Sequence, residues 1–226
     1  MKYVIEIPAR LGSKRVEKKN VRLLRGKPMI WYTIDAAKNS IVDEIYVNSE
    51  SEEIGKIALD NSIKFYKRKA EFAQDESTSD EFNYDFIKNI KPENLVMVNP
   101  VSPLINGTDI NNVIKFYEEG NYDTVITVRE DRLQAFCDEK PINFNPDDKL
   151  PMTQNISPIM LCAWSVCVWR SSTFIKSFEE KGHAVFSGKI GFYAMDPYKC
   201  VKISTEEDFQ MTEAMMSYWE AKDLNK

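Results

Sequence analysis

The sequence predicts an α/β fold with a doubly wound, mostly parallel sheet, and two observations carry this prediction. Short apolar segments alternate with longer segments of helical periodicity, which is typical of a parallel sheet covered by helices on both faces. No internal repeat or low-complexity linker interrupts the sequence. We therefore expect one domain over residues 1–226, with an inserted subregion at about 130–160.

The first half of the chain contains most of the predicted elements. The first strand is predicted over 3–7 and the first helix over 28–39, where Pro28 suits a helix start. The next elements are strand 44–47, helix 52–61, strand 65–66, helix 79–90, strand 95–98, helix 108–119 and strand 124–128. A side-chain oxygen that accepts a backbone N–H stabilises a helix start, so Ser49 or Ser51 is expected to cap the second helix and Thr108 the fourth.

The alternation ends between Glu130 and about Gln154, where Pro141, Pro146 and Pro151 indicate loops with room for a hairpin. Beyond it we predict a long strand over 161–169, a helix over 172–180, and short strands over 193–196 and 200–203. The last helix is predicted over 206–222, with Thr205 as its cap and Asp208 in its first turn.

The composition excludes several classes of function. Apolar residues make up 43% of the chain and charged residues 29%, as in ordinary globular proteins, and the formal net charge is −5. A negative net charge argues against a surface that coats nucleic acid. The four cysteines lack C-x-x-C spacing and the lone His183 is distant from them. We therefore expect neither a zinc site nor a disulfide framework.

The sequence also predicts where the protein resides. No charged segment followed by an apolar one opens the chain, so we expect no signal peptide. The longest apolar stretch, 156–169, is interrupted by Ser157, Pro158 and Ser165 and is too short to span a bilayer. A cytoplasmic location without a membrane partner is the expectation.

The most informative segment is the turn predicted after the first strand. Arg10, Lys14, Arg15, Lys18 and Lys19 place five positive charges within ten residues. The backbone N–H groups of a Gly/Ser turn beside several cations are suited to bind phosphates. The alternative is a connector with solvated lysines, although a plain connector normally carries turn residues.

This turn lacks both common phosphate-binding fingerprints. No G-x-x-x-x-G-K-[ST] is present, and Leu11-Gly12-Ser13 lacks the glycine triplet of a dinucleotide-binding turn. Side-chain cations suit a nucleoside triphosphate that is attacked at its α-phosphorus, because negative charge then builds up on the leaving pyrophosphate. Three further loops follow predicted strands and are expected to border the same ligand: 67–79, 99–103 and 202–208.

A family resemblance rests on Ile7-Pro8-Ala9-Arg10-x-x-Ser13-Lys14, on Lys19-Asn20 and on Gly26-Lys27-Pro28-Met29-Ile30. These segments resemble the signature of the CMP-sialic acid synthetases (acylneuraminate cytidylyltransferases) and, more loosely, that of the CMP-Kdo synthetases. The likeness continues through residues 73–79 and 99–104 and ends at 207–209.

The resemblance implies a Rossmann-like α/β fold of the nucleotide-diphospho-sugar transferase type. It also implies CTP as the donor, Mg²⁺ as the cofactor, and a homodimer formed through the inserted subregion and the strand after it. The implied reaction transfers CMP to an acidic acceptor with release of pyrophosphate. A nonulosonic, sialic-acid-like sugar destined for cell-surface polysaccharides is the expected acceptor.

The same resemblance assigns expected roles to individual residues. The expected catalytic residues are Arg10, Lys14 and Lys19. Contacts with the nucleotide are expected from Ala9, Arg10, Gly12, Ser13, Lys14, Lys19, Asn20, Arg68, Ser77 and Ser79. Contacts with the acceptor are expected from Asn99, Ser102, Gln154 and Trp164.

The chain departs from the family pattern at two places. Where the family carries a metal-binding Asp-x-Asp, this chain has Lys202-Ile203-Ser204. Asp208 and Asp196 remain as candidate metal ligands, and Lys202 is placed to replace part of the metal's charge. Where the family has an Arg-Gln pair for the sugar carboxylate, this chain has Thr153-Gln154. Arg129 and Arg132 are candidate replacements for that arginine.

Three functions therefore stay open. The first is an active enzyme that makes a CMP-activated nonulosonic acid. The second is CMP transfer to a different acid, namely a Kdo-like sugar, a phosphonate or a phosphorylated acceptor. The third is a non-catalytic nucleotide-binding relative without a metal site. The complete set of loop cations favours an enzyme.

Overall fold

The computed structural model describes residues 2–42 and 44–223, with side chains up to residue 219. The strands are β1 Tyr3–Pro8, β2 Leu23–Leu24, β3 Lys27–Pro28, β4 Glu44–Ser49, β5 Lys64–Lys67, β6 Asn94–Val98, β7 Thr124–Asp131, β8 Phe136–Cys137, β9 Lys140–Pro141, β10 Ile159–Arg170 and β11 Ile190–Ala194. The helices are α1 Met29–Lys38, α2 Glu52–Asp60, α3 Ser79–Ile90, α4 Gly107–Glu119, α5 Ser171–Lys181 and α6 Glu206–Asp223. Short 3₁₀ turns cover Ala70–Ala73, Thr153–Asn155 and Pro197–Cys200.

A seven-stranded sheet in the order β11-β7-β10-β6-β1-β4-β5 forms the centre of the molecule. All neighbouring strands are parallel except β10, which runs antiparallel to both β6 and β7. The predicted α/β fold with a mostly parallel sheet is confirmed. The extent of the domain, residues 1–226, stays a prediction.

Helices cover both faces of the sheet, as the alternating pattern predicts. On one face, α1, α2 and α4 bury apolar side chains against β1, β4 and β6. On the other face, α3 and α5 pack around Phe86, Trp169 and Phe174. A third apolar cluster joins Val16 in the loop after β1 to Ile203, which lies just before α6, and to Phe209 in the first turn of α6. This cluster brings two distant parts of the chain together at the carboxyl end of β1.

Three details of the predicted elements are wrong. Helix α4 begins at Gly107 and is capped by Asn106 rather than Thr108, because Asn106 and Asp109 form a reciprocal capping box. The predicted strand 193–196 lies earlier, at β11, where it pairs with β7. No strand forms over 200–203, because Cys200 still belongs to the 3₁₀ turn that starts at Pro197, and residues 201–203 have no regular secondary structure. The caps Ser51 and Thr205 are confirmed by their bonds to backbone N–H groups.

The inserted subregion is built on an extension of β7 and β10 beyond the sheet. Residues 159–162 of β10 pair with 128–131 of β7, and the short β8–β9 hairpin lies between them in sequence. The register shifts between Cys162 and Cys167, and Trp164 adopts φ +59° within this bulge. Bulges of this kind redirect side chains. In the described part of the chain, no helix is both long and apolar enough to cross a membrane.

The start of α4 provides a stability test. A Cβ added to Gly107 would overlap the backbone carbonyl of Asn39, whereas a Cβ on Gly12 would meet no atom within 4 Å. Overpacking costs about 1–3 kcal/mol, and more where backbone must move. Gly107→Ala is therefore expected to lower the free energy of unfolding by at least about 1 kcal/mol in urea titrations. Gly12→Ala is the matched control, and equal stability of the two variants would contradict the close packing of α4 on α1.

Candidate functional site

A cavity of about 640 Å³ opens at the carboxyl ends of β1, β5 and β6. The loops that follow these strands line it, together with Lys202 from the segment before α6. The third apolar cluster and a bond from the Ile203 N–H to the Val101 carbonyl (2.8 Å) hold that segment in place. The four loops singled out in the sequence thus meet at one edge of the sheet, as expected for an open parallel sheet.

Most of the residues expected at the site line this cavity: Arg10, Ser13, Lys14, Lys19, Asn20, Arg68, Ser77, Ser79, Asn99 and Trp164. Four others do not. Ala9 is buried below the loop, and Gly12 is exposed outside the lining. Ser102 is fully buried and accepts a hydrogen bond from Ser165 Oγ at 3.0 Å. Gln154 is exposed in the inserted subregion, where its amide contacts Met152 Sδ.

Sequence reasoning missed the apolar wall of the cavity. Phe72, Phe82 and Met97 line it beside Arg68. Phe82 follows Ser79 by three residues on α3, so a helical projection of this helix would have placed both on one face. Phe72 lies in a 3₁₀ turn for which the sequence gives no comparable pattern.

The lining of the cavity is strongly cationic. Among the described residues of the lining, one is a carboxylate, Asp75, and six are cations: Arg10, Lys14, Arg15, Lys19, Arg68 and Lys202. Asp75 pairs with Lys14 and, at 2.9 Å, with Arg10 Nη1. These two bonds hold the pKa of Asp75 below its ordinary value. Positive charge of this density, in a cavity with a single acidic side chain, is suited to an anion with several charges.

Lys19 shows the imbalance most clearly. Its Nζ donates a hydrogen bond to the Ile203 carbonyl at 2.8 Å, and no carboxylate among the described residues forms an ion pair with it. Burial, together with the nearby charges of Arg15 and Lys202, lowers the pKa of Lys19 to about 8. The charge of Asp208 opposes this shift only in part, and a bound anion would add countercharge and raise the pKa of Lys19 again.

The loop that carries these cations is anchored at both ends. Glu50 Oε1 accepts a bond from the Leu11 N–H at 2.8 Å, and Asn20 Nδ2 donates to the Arg10 carbonyl at 2.9 Å. The Ala9 N–H bonds to the Asn48 carbonyl at 3.0 Å. Glu50 and Asn20 therefore preorganise the loop, and the loop cations need little rearrangement to meet a ligand.

Asn99 and Trp164 also belong to the lining of the cavity. The bulge in β10 places Trp164 here, with its ring edge-on to Phe186 at 5.7 Å. Neither candidate replacement arginine lines the cavity: Arg129 pairs with Asp131, and Arg132 donates to the Ile156 carbonyl at 3.0 Å.

The donor set does not fit a protein-bound Mg²⁺ ion. Asp208 accepts the N–H groups of Ser204 and Thr205, both at 2.8 Å, and Asp196 accepts the Tyr198 N–H at 2.9 Å. Burial opposes ionisation of Asp208, but its backbone bonds outweigh burial and lower its pKa. Neither aspartate lines the cavity, and the described residues contain no cluster of three or more His, Cys, Asp or Glu that suits a metal.

Comparison with known proteins identifies the family of this chain. Residues 4–210 match the family described as Cytidylyltransferase. The chain belongs to the cytidylyltransferase family. It is 29% identical over 219 residues to an N-acylneuraminate cytidylyltransferase of Streptococcus agalactiae, an alignment that covers 92% of this chain and 52% of the relative. The chain thus spans about half the length of the curated relatives it matches.

Two further similarities concern, respectively, about a third of the chain and nearly the whole fold. Over 83 residues, 36% of the chain, it is 46% identical to a pseudaminic acid cytidylyltransferase of Campylobacter jejuni, of which 34% is covered. The solved structure of a CMP:2-keto-3-deoxy-manno-octonic acid synthetase complexed with CTP superposes with a TM-score of 0.73 at 14% identity, covering 96% of this chain and 99% of that one. At this identity the superposition supports the fold alone.

The lowered pKa of Lys19 predicts a pH dependence of triphosphate binding. Lys19 carries its charge below pH 8 and loses it above, so the affinity for CTP is expected to fall as the pH rises from 7 to 9. Because a bound phosphate favours the charged form, binding at pH 8.5 is expected to take up protons. Calorimetry in two buffers of different ionisation enthalpy measures both effects.

Lys18→Gln is the matched control for this experiment, since Lys18 is exposed and lies outside the cavity lining. This variant is expected to keep the pH dependence, whereas Lys19→Gln is expected to lose it along with most of the affinity. An affinity for CTP that stays constant between pH 7 and 9 in the unmodified protein would contradict the assigned role of Lys19.

Proposed function

We propose that this chain transfers CMP from CTP to an acidic acceptor sugar and releases pyrophosphate. The observation that carries the proposal is the cavity at the carboxyl ends of β1, β5 and β6, whose described lining contains six cations and one carboxylate. The apolar wall formed by Phe72 and Phe82 beside Arg68 gives a flat base a surface to contact. Membership of the cytidylyltransferase family supports the same reaction.

The loop cations have a defined role in this reaction. When the acceptor oxygen attacks the α-phosphorus, the bond to pyrophosphate breaks and negative charge accumulates on the leaving group. Arg10, Lys14 and Lys19 would neutralise that charge, and charge stabilisation of this kind acts mainly on the transition state. Asp75 holds Arg10 and Lys14 near the cavity, so a triphosphate would replace one carboxylate as their partner.

The Mg²⁺ implied by the resemblance has no carboxylate cluster in the described residues. Mg²⁺ is commonly bound through substrate phosphates, one or two carboxylates and water. We propose that Mg²⁺ enters as the complex of the nucleotide, with its ligands drawn from phosphate and water. Lys202 supplies a fixed positive charge at this side of the cavity.

A nonulosonic acid is the acceptor that we propose. The names of the curated relatives, N-acylneuraminate and pseudaminic acid cytidylyltransferase, support this choice. The exposure of Thr153 and Gln154 and the positions of Arg129 and Arg132 leave the sugar carboxylate to the cations already in the cavity. A Kdo-like sugar, a phosphonate or a phosphorylated acid would meet the same cations, so these acceptors belong in the test.

A non-catalytic nucleotide-binding protein is the second candidate, and the positions of Asp196 and Asp208 outside the cavity favour it. The two candidates differ in one measurement. The enzyme releases pyrophosphate from CTP with at least one acceptor of a panel of acidic sugars and phosphonates. The binding protein holds CTP and releases none.

For the enzyme, we predict that Arg10→Gln lowers kcat by roughly 10²- to 10³-fold, the usual effect of removing one transition-state charge donor. The Michaelis constant for CTP is expected to change less, because the cation gains most when charge builds on pyrophosphate. Steady-state assays of pyrophosphate release measure both constants. Lys18→Gln is the control and is expected to retain full activity. A kcat of Arg10→Gln equal to that of the unmodified enzyme would contradict the mechanism.

A homodimer is also proposed, formed through the inserted subregion. This region and the adjoining part of β10 expose several large apolar side chains: Leu133, Phe136, Ile142, Leu150, Met152 and Met160. Such a group of exposed apolar residues is typical of an interaction surface. Sedimentation at micromolar concentration is expected to give the mass of a dimer, and Phe136→Asp with Met160→Asp the mass of a monomer. A monomer mass for the unmodified protein would contradict this proposal.

A further inference from the structure

Glu6 occupies an unusual position for a carboxylate. It lies in the middle of β1, between β4 and β6, and is completely buried. Its Oε1 accepts a hydrogen bond from Asn48 Nδ2 at 2.5 Å, while its Oε2 has no partner among the described residues. A buried charge is costly unless it is paired, and an apolar side chain in a central strand would avoid that cost. Packing alone therefore does not account for Glu6.

Asn48 connects Glu6 to a residue of the cavity. Its Oδ1 accepts a bond from Arg68 Nε at 2.9 Å, and its backbone carbonyl accepts one from Arg68 Nη2 at 2.9 Å. The guanidinium also lies over the ring of Phe82, 4.3 Å from its centre. Arg68 is only 5% exposed, yet it lines the cavity. In the described part of the chain, Glu6, Asn48 and Arg68 thus form a chain of hydrogen bonds, here called the relay, which leads from the sheet interior to the cavity.

The relay leaves part of the guanidinium available to a ligand. Asn48 occupies Nε and Nη2 of Arg68, and no hydrogen bond from Nη1 is present among the described residues. A guanidinium presents its N–H donors in a rigid plane. Fixing two of its nitrogens and one face therefore fixes the direction of the third nitrogen.

Glu6 is also a buried countercharge to Arg68. Burial raises the pKa of Glu6 to about 7, opposed by the charge of Arg68 and the bond from Asn48. Burial lowers the pKa of Arg68, and Glu6 opposes that shift. Asp85 on α3 also faces Glu6 and raises its pKa, while Tyr66 (2.6 Å) and Lys69 (2.8 Å) bond to Asp85.

We infer that Glu6 and Asn48 are positioning residues that orient Arg68 to distinguish the base of the bound nucleotide. This inference rests on the proposed function. Cytosine presents two adjacent acceptors, O2 and N3, whereas uracil carries a hydrogen at N3. A guanidinium donor held in the direction of N3 pairs with cytosine, whereas against the N3–H of uracil it is left unpaired, which costs affinity. A freely rotating arginine would adapt to either base.

The test compares the affinities for CTP and UTP by calorimetry in the unmodified protein and in Glu6→Gln. Glu6→Gln keeps the shape of the side chain and removes its charge, and is expected to reduce the ratio of the two affinities about tenfold. Inorganic tripolyphosphate, which lacks a base, is expected to bind both proteins equally. Glu52→Gln is the matched control, because Glu52 is exposed and pairs only with Lys67 among the described residues.

A pH series separates orientation from general damage to the fold. In the unmodified protein the CTP-to-UTP ratio is expected to fall as the pH drops below 7, where Glu6 takes up a proton and Arg68 loses its countercharge. Glu6→Gln is expected to show a low ratio without this inflection. Glu6→Leu, which replaces the buried charge with an apolar side chain that a strand interior accepts, provides a second variant with the same expected ratio.

Two results would overturn the inference in different ways. If the unmodified protein prefers CTP and both variants keep its ratio and its pH profile, the relay has no role in base selection and the proposed function stands. If the unmodified protein binds neither nucleotide, the proposed function fails and the inference fails with it.

Discussion

A cation inside a protein needs a countercharge, and the loop after β1 does not supply one for Lys19. The charges of Arg15 and Lys202 lower the pKa of this side chain and that of Asp208 opposes them only in part, while a backbone carbonyl accepts its hydrogen bond. Unpaired buried charge costs free energy, and the apolar cluster of Val16, Ile203 and Phe209 offsets that cost by packing the loop against α6. The loop is thus stabilised in a conformation that gains most when an anion binds.

The rest of the structure maintains this arrangement. The parallel order β6-β1-β4-β5 brings the loops after β1, β5 and β6 to one edge of the sheet. Strand β10, which runs antiparallel to both of its neighbours in the seven-stranded sheet, passes beside β6 and brings Trp164 to the lining of the same cavity. The lining of the cavity therefore combines positive charge with the aromatic ring of Trp164 and the amide of Asn99.

Sequence reasoning succeeded where a local pattern determines the outcome. The alternation of apolar and helical segments predicts the sheet, and the basic loop predicts a cationic cavity at Arg10 and Lys19. It failed where two local patterns compete or where distant contacts decide. The start of α4 depends on the reciprocal bonds of Asn106 and Asp109, and the segment 200–203 is diverted from a strand by the turn at Pro197. Such competition between alternatives is not visible in residue types alone.

The role suggested for Glu6 belongs to the same category. In the sequence it is one polar residue within an apolar strand, and only the structure shows that Asn48 and Arg68 converge on it. The sequence likewise provides the charge of Lys202, but its position in the lining, near Lys19, required the fold. In both cases the charge is predictable and its partners are not.

A crystal structure of this protein with CTP bound tests the central claim most directly. The account predicts that the β- and γ-phosphates contact Lys19 and Arg10, that Arg10 has exchanged Asp75 for a phosphate oxygen, and that the base lies against Phe82. A triphosphate bound away from Arg10 and Lys19, with the Arg10–Asp75 pair intact, would contradict it.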